Sequence, residues 1–284
     1  MTELTKEIVT DNSEFLQPGT ILKQQYQIQK ILGCGGFGRT YLADDLTLQV
    51  PVAVKEFLPD NGITQKRALK EARAAATFFD LETVVRIRDY FEEQDHAYIV
   101  MEYVQGVSVR DYVIEKGRMS GKEVLQKIFP LLLSLEKMHE RGVIHQDISA
   151  DNLMITEQGK FKLIDFGSAG ILKEPGTEDR KMQVRRGFAS VEQYLTDEQP
   201  GPWVDVYSIC ATMYFMITGI IPQDAIERRI CDKLTDLTEM LGIGLAKEQA
   251  AIIMKGLALD KEKRIQTVKA LREELSENTA KIMR

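Results

Sequence analysis

Short runs rich in branched and aromatic residues alternate with turns over positions 26–57: YQIQKIL, a glycine-rich GCGGFG, RTYLA, a polar DDLTLQ and then VPVAVKEF. Such alternation, punctuated by Gly and Asp, predicts a meander of strands. The period changes over 64–79, where Ala68, Ala72, Ala75 and Phe79 recur at i, i+4, i+7 and i+11 and predict a helix with one apolar face. AYIVMEYV at 97–104 reads as strand again, and Gly106 follows it as a hinge. Beyond it helices dominate, predicted over 121–141, 203–218, 247–257 and 267–278, with short β segments at VIHQDIS, LMIT and FKLIDFG. The longest apolar stretch, 206–221, is interrupted by Ser208, Thr212, Thr218 and Gly219. It falls short of the ~20 apolar residues a membrane span needs and predicts a buried helix.

At 284 residues the chain exceeds the roughly 150 residues typical of one domain, which suits two domains or one two-lobed unit. The pattern predicts an α+β fold: a small β-rich lobe with one main helix over 20–104, a larger, mostly helical lobe over 105–284, and an N-terminal extension over 1–19. A net charge of −6 argues against blanket nucleic-acid binding. Three cysteines, Cys34, Cys210 and Cys231, are odd in number and show no CxxC spacing, so neither a disulfide framework nor a zinc site is expected. The opening MTELTKEIVTDNSEFLQ is polar, without the apolar core of a secretory signal. A reducing cytoplasm is the expected location.

Several groups carry candidate chemistry. Gly33, Gly35 and Gly38 form a GxGxxG turn between two predicted strands, where missing side chains let backbone N–H groups approach phosphate oxygens, or where a hairpin needs positive φ. The strand that follows, in place of a helix, argues against a dinucleotide-binding start. Lys55 lies in the apolar strand VAVK and needs an anionic partner to stay charged there. Glu71 lies about 40° around the helix from Ala75, on the flank of the inward face. Downstream, HQDISADN places Asp147 and Asn152 five residues apart, and Asp165-Phe166-Gly167 follows a short β pair.

In this order the motifs resemble those of the protein-kinase family, and over roughly 20–275 the phrases VKEFLP, GFASVEQY and GPWVDVYS look like those of bacterial serine/threonine kinases with the eukaryotic-like, bilobal fold. The resemblance implies ATP and magnesium, or manganese in its place, as cofactors and a protein as substrate. Gly33, Gly35 and Gly38 would cover the phosphates, Lys55 would hold two of them, and Glu71 would fix Lys55. Asp147 would accept the substrate hydroxyl proton, and Asn152 and Asp165 would hold the metal ions. Met101 would be the gatekeeper, with the backbone of Glu102 and Val104 at the adenine edge and Ala53 and Met154 on its faces. Glu192 would pair with Arg264, Asp205 would brace the catalytic loop, and His145 would pack beneath Phe166.

The sequence also departs from the pattern the resemblance brings. Gln146 stands where many kinases carry arginine, Ser149 replaces a lysine, Thr40 a valine, and Arg185 a threonine. Ser108 occupies a position that holds a carboxylate in kinases preferring basic substrates. Cys34 lies inside the phosphate loop, and Arg180, Lys181, Arg185 and Arg186 make a basic run. The candidate metal ligands, base and lysine remain present, so an active Ser/Thr protein kinase is expected. A nucleotide-binding pseudokinase scaffold and a small-molecule kinase are the alternatives. The substrate, oligomeric state and any domain beyond Arg284 stay open.

Overall fold

The computed structural model describes residues 15–35, 38–59, 63–166, 170–171, 184–195 and 199–282. The chain divides into two compact units, one of Met1–Ala68 with Arg88–Tyr103 and one of Leu69–Ile87 with Val104–Arg284.

The first unit is a six-stranded sheet built from β1 (Ile21–Leu22), β2 (Tyr26–Gly35), β3 (Gly38–Asp45), β4 (Val50–Phe57), β5 (Ile87–Glu93) and β6 (His96–Glu102), in the order β1-β2-β3-β4-β6-β5. The predicted meander accounts for β2 to β4. In β4 Val52, Ala53 and Val54 are all buried, and Val54 lies opposite Tyr41 on one side and Val100 on the other. Ile28, Tyr41, Val54 and Val100 anchor a core on which Leu16 packs from the N-terminal side. Tyr26, Phe91 and Tyr98 continue it as a column of stacked rings, with centroids 5.9 and 4.9 Å apart.

Helix α1 (Ile63–Ala76) carries the predicted alanine face, with Ala68, Ala72 and Ala75 all buried. Its end differs from expectation: Phe79 is 71% exposed and Phe78 takes the buried place. The helical spacing lapses because the Thr77 N–H is shared between the carbonyls of Arg73 and Ala74, and the Phe78 N–H turns to the Ala75 carbonyl.

In the second unit β7 (Gly106–Ser108) joins β9 (Leu153–Thr156) and β10 (Phe161–Leu163) in the order β10-β9-β7, and β8 (Val143–Ile144) pairs with β11 (Gly170–Ile171). Gly106 proves to be a strand residue: a Cβ there would sit 2.0 Å from the Ile155 carbonyl oxygen, so only glycine lets the two backbones pair so closely. Ser108 ends β7 and caps α2 (Val109–Lys116) by accepting the Asp111 N–H.

Around these strands lie α3 (Gly121–Glu140), α4 (Pro202–Thr218), α5 (Ala225–Ile230), α6 (Lys247–Gly256) and α7 (Val268–Ile282). Helix α3 is capped by Ser120 and buries Val124, Ile128, Leu131 and Leu135 on one face, against α4 and α7. Helix α4 is the predicted buried helix, enclosed on all sides from Val204 to Ile217, opened by Pro202 and closed by Gly219 at φ 74°. No helix among the described residues is long and apolar enough to cross a membrane. The short α2 and α5 fall outside the sequence expectation, because six to eight residues are too few to display a helical period.

Candidate active site

The first unit places the glycine turn between β2 and β3, where Gly33 faces Thr40 and Gly35 faces Gly38. Gly38 is the constrained member. At φ 154° its missing Cβ would lie 1.9 Å from the Glu56 carbonyl oxygen, so the close approach of β3 to β4 requires glycine. Thr40 pairs directly with Lys55, whose ammonium also lies 4.9 Å from the Phe57 ring centroid. Ala53 pairs with Met101, and Val52 with Glu102, so three of the residues expected around adenine, Ala53, Met101 and Glu102, share the adjoining strands β4 and β6.

In the second unit Glu71 is buried on α1, as its place beside Ala75 predicts. The loop after β8 brings the downstream candidates together. The Asn152 amide nitrogen donates to both the backbone carbonyl and the Oδ2 of Asp147, each at 2.9 Å. Ser149 Oγ accepts the Asn152 N–H at 3.4 Å within the turn. Met154 follows in β9, opposite Ser108 and Lys162. Asp165 follows β10 and is half-buried, while Phe166 is buried between Phe78 and His145, with centroids 6.0 and 4.8 Å away. Val104 lies in the irregular segment before β7.

Beneath the loop, Asp205 in the first turn of α4 is fully buried. Its Oδ2 accepts the His145 N–H at 2.9 Å and meets His139 Nε2 at 2.7 Å, and its Oδ1 accepts the Gln146 N–H at 2.8 Å. Burial works against the charge, yet the hydrogen bond to His139, the positive charge nearby and the backbone N–H of His145 together hold the carboxyl below its ordinary range. Burial pushes the His145 imidazole below its ordinary value, so His145 is a neutral, packed residue. Its Nδ1 accepts the Asp147 N–H at 3.3 Å.

A second buried ion pair fastens the segment before α4. Glu192 meets Arg264 at 2.7 and 3.2 Å, and Arg264 also donates to the carbonyls of Ala258, Leu259 and Trp203. One residue further, Gln193 donates to the Gln146 carbonyl at 2.6 Å and accepts the Ser190 N–H at 3.1 Å. Arg185 reaches the catalytic-loop candidates, with Nε 3.5 Å from Asp147 Oδ1 and Nη2 donating to Asn152 Oδ1 at 3.4 Å. Arg186 instead pairs with Glu227 at 2.7 Å. Gly167, Arg180 and Lys181 lie outside the described residues.

Sequence reasoning missed three of these connections. Arg110 clamps Asp151 through two bonds of 2.5 and 2.9 Å, His139 partners Asp205 across 66 positions, and Gln193 ties to Gln146 across 47. None belongs to a local spacing. The most that could be read was the capping pattern, in which Ser190 precedes Gln193 by three residues.

The model of the protein kinase domain matches residues 26–276, so the chain belongs to the protein kinase family. Its fold is accordingly the α+β fold of that domain. The chain is similar to serine/threonine-protein kinase PrkC of Bacillus subtilis, 31% identical over 215 residues covering 72% of this chain and 32% of that protein. It is likewise similar to serine/threonine-protein kinase PknB of Mycobacterium tuberculosis, 32% identical over 272 residues, with 89% and 43% covered. A probable serine/threonine-protein kinase PknB of Bifidobacterium longum is also 32% identical over 272 residues, with 88% and 39% covered. The chain spans about a third to somewhat under half the length of these relatives.

Proposed function

We propose that this chain is an active, magnesium-dependent serine/threonine protein kinase that transfers the γ-phosphoryl group of ATP to hydroxyls of a protein substrate, in the cytoplasm. The observation that carries the reading is the Asp147–Asn152 pair, hydrogen-bonded to each other on a loop whose backbone is held by buried Asp205. Phosphoryl transfer asks little covalent chemistry of the protein and much positioning, so a carboxylate fixed to this degree suits a group that orients an attacking hydroxyl.

The lobes are assigned to 20–104 and 105–284. Gly33, Gly35 and Gly38 are assigned to the triphosphate, Lys55 to its α and β phosphates, and Glu71 to the role of partner to Lys55. Ala53, Met101, Glu102, Val104 and Met154 are assigned to adenine. The donor set offered to a metal is the Asn152 amide oxygen and the Asp165 carboxylate. Such hard oxygen ligands, few in number, suit magnesium, which takes one or two carboxylates and completes its shell with phosphates and water. When bound, the metal neutralises charge on the phosphates. Asp147 receives the hydroxyl proton on its carboxylate, while the Asn152 amide keeps that carboxylate oriented.

Incubation of the chain with labelled ATP, magnesium and a generic protein substrate tests this. Phosphoprotein should form, and Lys55→Met and Asp147→Asn should each abolish it, with Asp147→Asn still binding ATP. Nucleotide binding without transfer by the unaltered chain would indicate a scaffold. Transfer to a small-molecule alcohol alone would indicate the other class of kinase.

A further inference from the structure

The loop from Asp147 to Asn152 is acidic. Asp147 and Asp151 project from it, and Ser149 is fully buried inside its turn, where its hydroxyl caps the Asn152 N–H. No cation comes from within the loop itself, whose residues are Asp147-Ile148-Ser149-Ala150-Asp151-Asn152. Among the described residues, the guanidinium groups of Arg110 and Arg185 reach the loop from elsewhere in the unit. Arg110, on α2, is committed to Asp151 by its bidentate clamp. Arg185 is differently disposed. Its Nε lies 3.5 Å from Asp147 Oδ1, its Nη2 3.4 Å from Asn152 Oδ1, and its Nη1 4.0 Å from Asp151 Oδ2, with the side chain 40% exposed.

These contacts divide the loop's polar atoms in a particular way. Asn152 turns its amide nitrogen to Asp147 Oδ2 and its amide oxygen to Arg185, while Asp147 offers Oδ2 to Asn152 and Oδ1 to Arg185. The three side chains thus close a ring of polar contacts in which Arg185 makes only long approaches, 3.5 Å to Asp147 Oδ1 and 3.4 Å to Asn152 Oδ1, so that each of these oxygens keeps a lone pair for the hydroxyl proton or a metal ion. A planar guanidinium, with several N–H groups in fixed directions, can close such a ring, and the compact point charge of a lysine can do so only in part.

We propose that Arg185 is a positioning residue for phosphoryl transfer, fixing the rotamers of Asp147 and Asn152 and supplying the positive charge that the loop itself lacks. This deepens the kinase reading and rests on it. A misplacement of reacting groups by about an ångström costs on the order of 10²-fold in rate, so loss of the ring acts on kcat and not on binding.

The test uses the full chain with magnesium-ATP and a generic protein substrate, comparing it with Arg185→Met, which keeps length and removes charge, and Arg185→Lys, which keeps charge. Arg185→Met should lower kcat by about 10²-fold while the nucleotide Kd and the protein-substrate KM stay within about threefold, and Arg185→Lys should recover about tenfold of that loss. The melting temperature of both variants should match the unaltered chain, since the side chain is partly in solvent. Unchanged kcat in Arg185→Met, or a defect confined to the protein-substrate KM, overturns the positioning role. A rise in kcat on removing Arg185 overturns it too and makes the guanidinium an obstacle. Absence of phosphoryl transfer by the unaltered chain defeats the kinase reading itself and the inference with it, an outcome distinct from a change confined to the variants.

Discussion

Asp205 holds Gln146 in a backbone conformation that glutamine seldom adopts. Gln146 lies at φ 65°, in the left-handed region, and its N–H donates to Asp205 Oδ1 at 2.8 Å. Such a conformation costs of order 1–3 kcal/mol and persists only where the surroundings fix it. The fixing group is itself a buried carboxylate, satisfied by two backbone N–H groups and His139. Asp205→Asn presents an amide N–H to one of those donors, so phosphoryl transfer should fall by about 10²-fold as the loop relaxes. Asp205→Ala removes one partner of a buried charge network and should cost about 3–5 kcal/mol in urea unfolding. A variant of either kind with unaltered rate would show that the loop conformation is held by other contacts.

Stability should fall on mild acidification. Burial holds the His145 imidazole below its ordinary 6.5, against the pull of the Asp205 and Asp165 carboxylates. The unfolded chain takes up a proton near pH 6.5 that the folded protein refuses until a lower pH. Between those two values the unfolded state binds more protons, so the contribution is complete above 6.5 and is lost as pH falls below it. Melting temperatures of the unaltered chain and of His145→Phe, compared from pH 8 down to about 5.5, should converge as pH falls. Parallel curves would mean that His145 contributes nothing to the pH dependence.

Activity should not depend strongly on phosphorylation within Ser168 to Arg186. Gln146 is neutral and cannot give a phosphate the charge-assisted clamp of an arginine. The segment after Arg185 is instead tied to the loop by the Gln193 amide, which donates to the Gln146 carbonyl at 2.6 Å. Thr177, which lies outside the described residues, is the candidate for self-phosphorylation. Phosphatase-treated enzyme should start at nearly the rate of untreated enzyme, whereas Gln193→Ala should slow it. A large loss after phosphatase, restored when Thr177 is phosphorylated again, would contradict this.

Glu56, next to Lys55 in β4, carries a different load. Its side chain is 2% exposed and accepts the Tyr41 hydroxyl at 2.9 Å and the Tyr98 hydroxyl at 3.4 Å, with His96 Nδ1 at 2.9 Å and Arg39 3.9 Å away. Tyr41 in turn accepts the Leu16 N–H at 3.4 Å, and the Arg39 guanidinium stacks 4.5 Å from the Phe15 ring centroid. Burial, reinforced by the hydrogen bonds and negative charge of Glu56, raises the phenols of Tyr41 and Tyr98 well above their ordinary value, so both stay protonated donors. Glu56→Ala leaves two buried tyrosine hydroxyls without their acceptor and should destabilise the protein by about 3 kcal/mol. Deletion of the chain through Leu16 should weaken the same cluster by a smaller amount, read as a lower melting temperature with nucleotide affinity retained.

The sequence by itself determined the elements whose signals are local. Runs of branched and aromatic residues set off by turns in β2 to β4, a helical period in α1, Pro and Gly at the ends of α4, and the spacing of Asp147, Asn152 and Asp165 are each legible within about twenty residues. The tertiary structure decided what depends on residues distant in the chain. Position 78 and not 79 enters the core, because the helix ends at Ala76 and a turn replaces it before the pattern reaches Phe79. Gly106 is placed in a strand by the carbonyl of Ile155, 49 positions away in the sequence, and reads as a hinge when seen alone. Glu56 alternates with Lys55 along β4, as any strand neighbour does, and only the meeting of Tyr41, His96 and Tyr98 around it makes a buried acid tolerable. Arg185 reads as one member of a basic run until the fold lays it against Asp147 and Asn152. Periodicity records which face of an element avoids water, whereas the partner a polar side chain meets is set by how the elements cross, and no local spacing encodes that crossing.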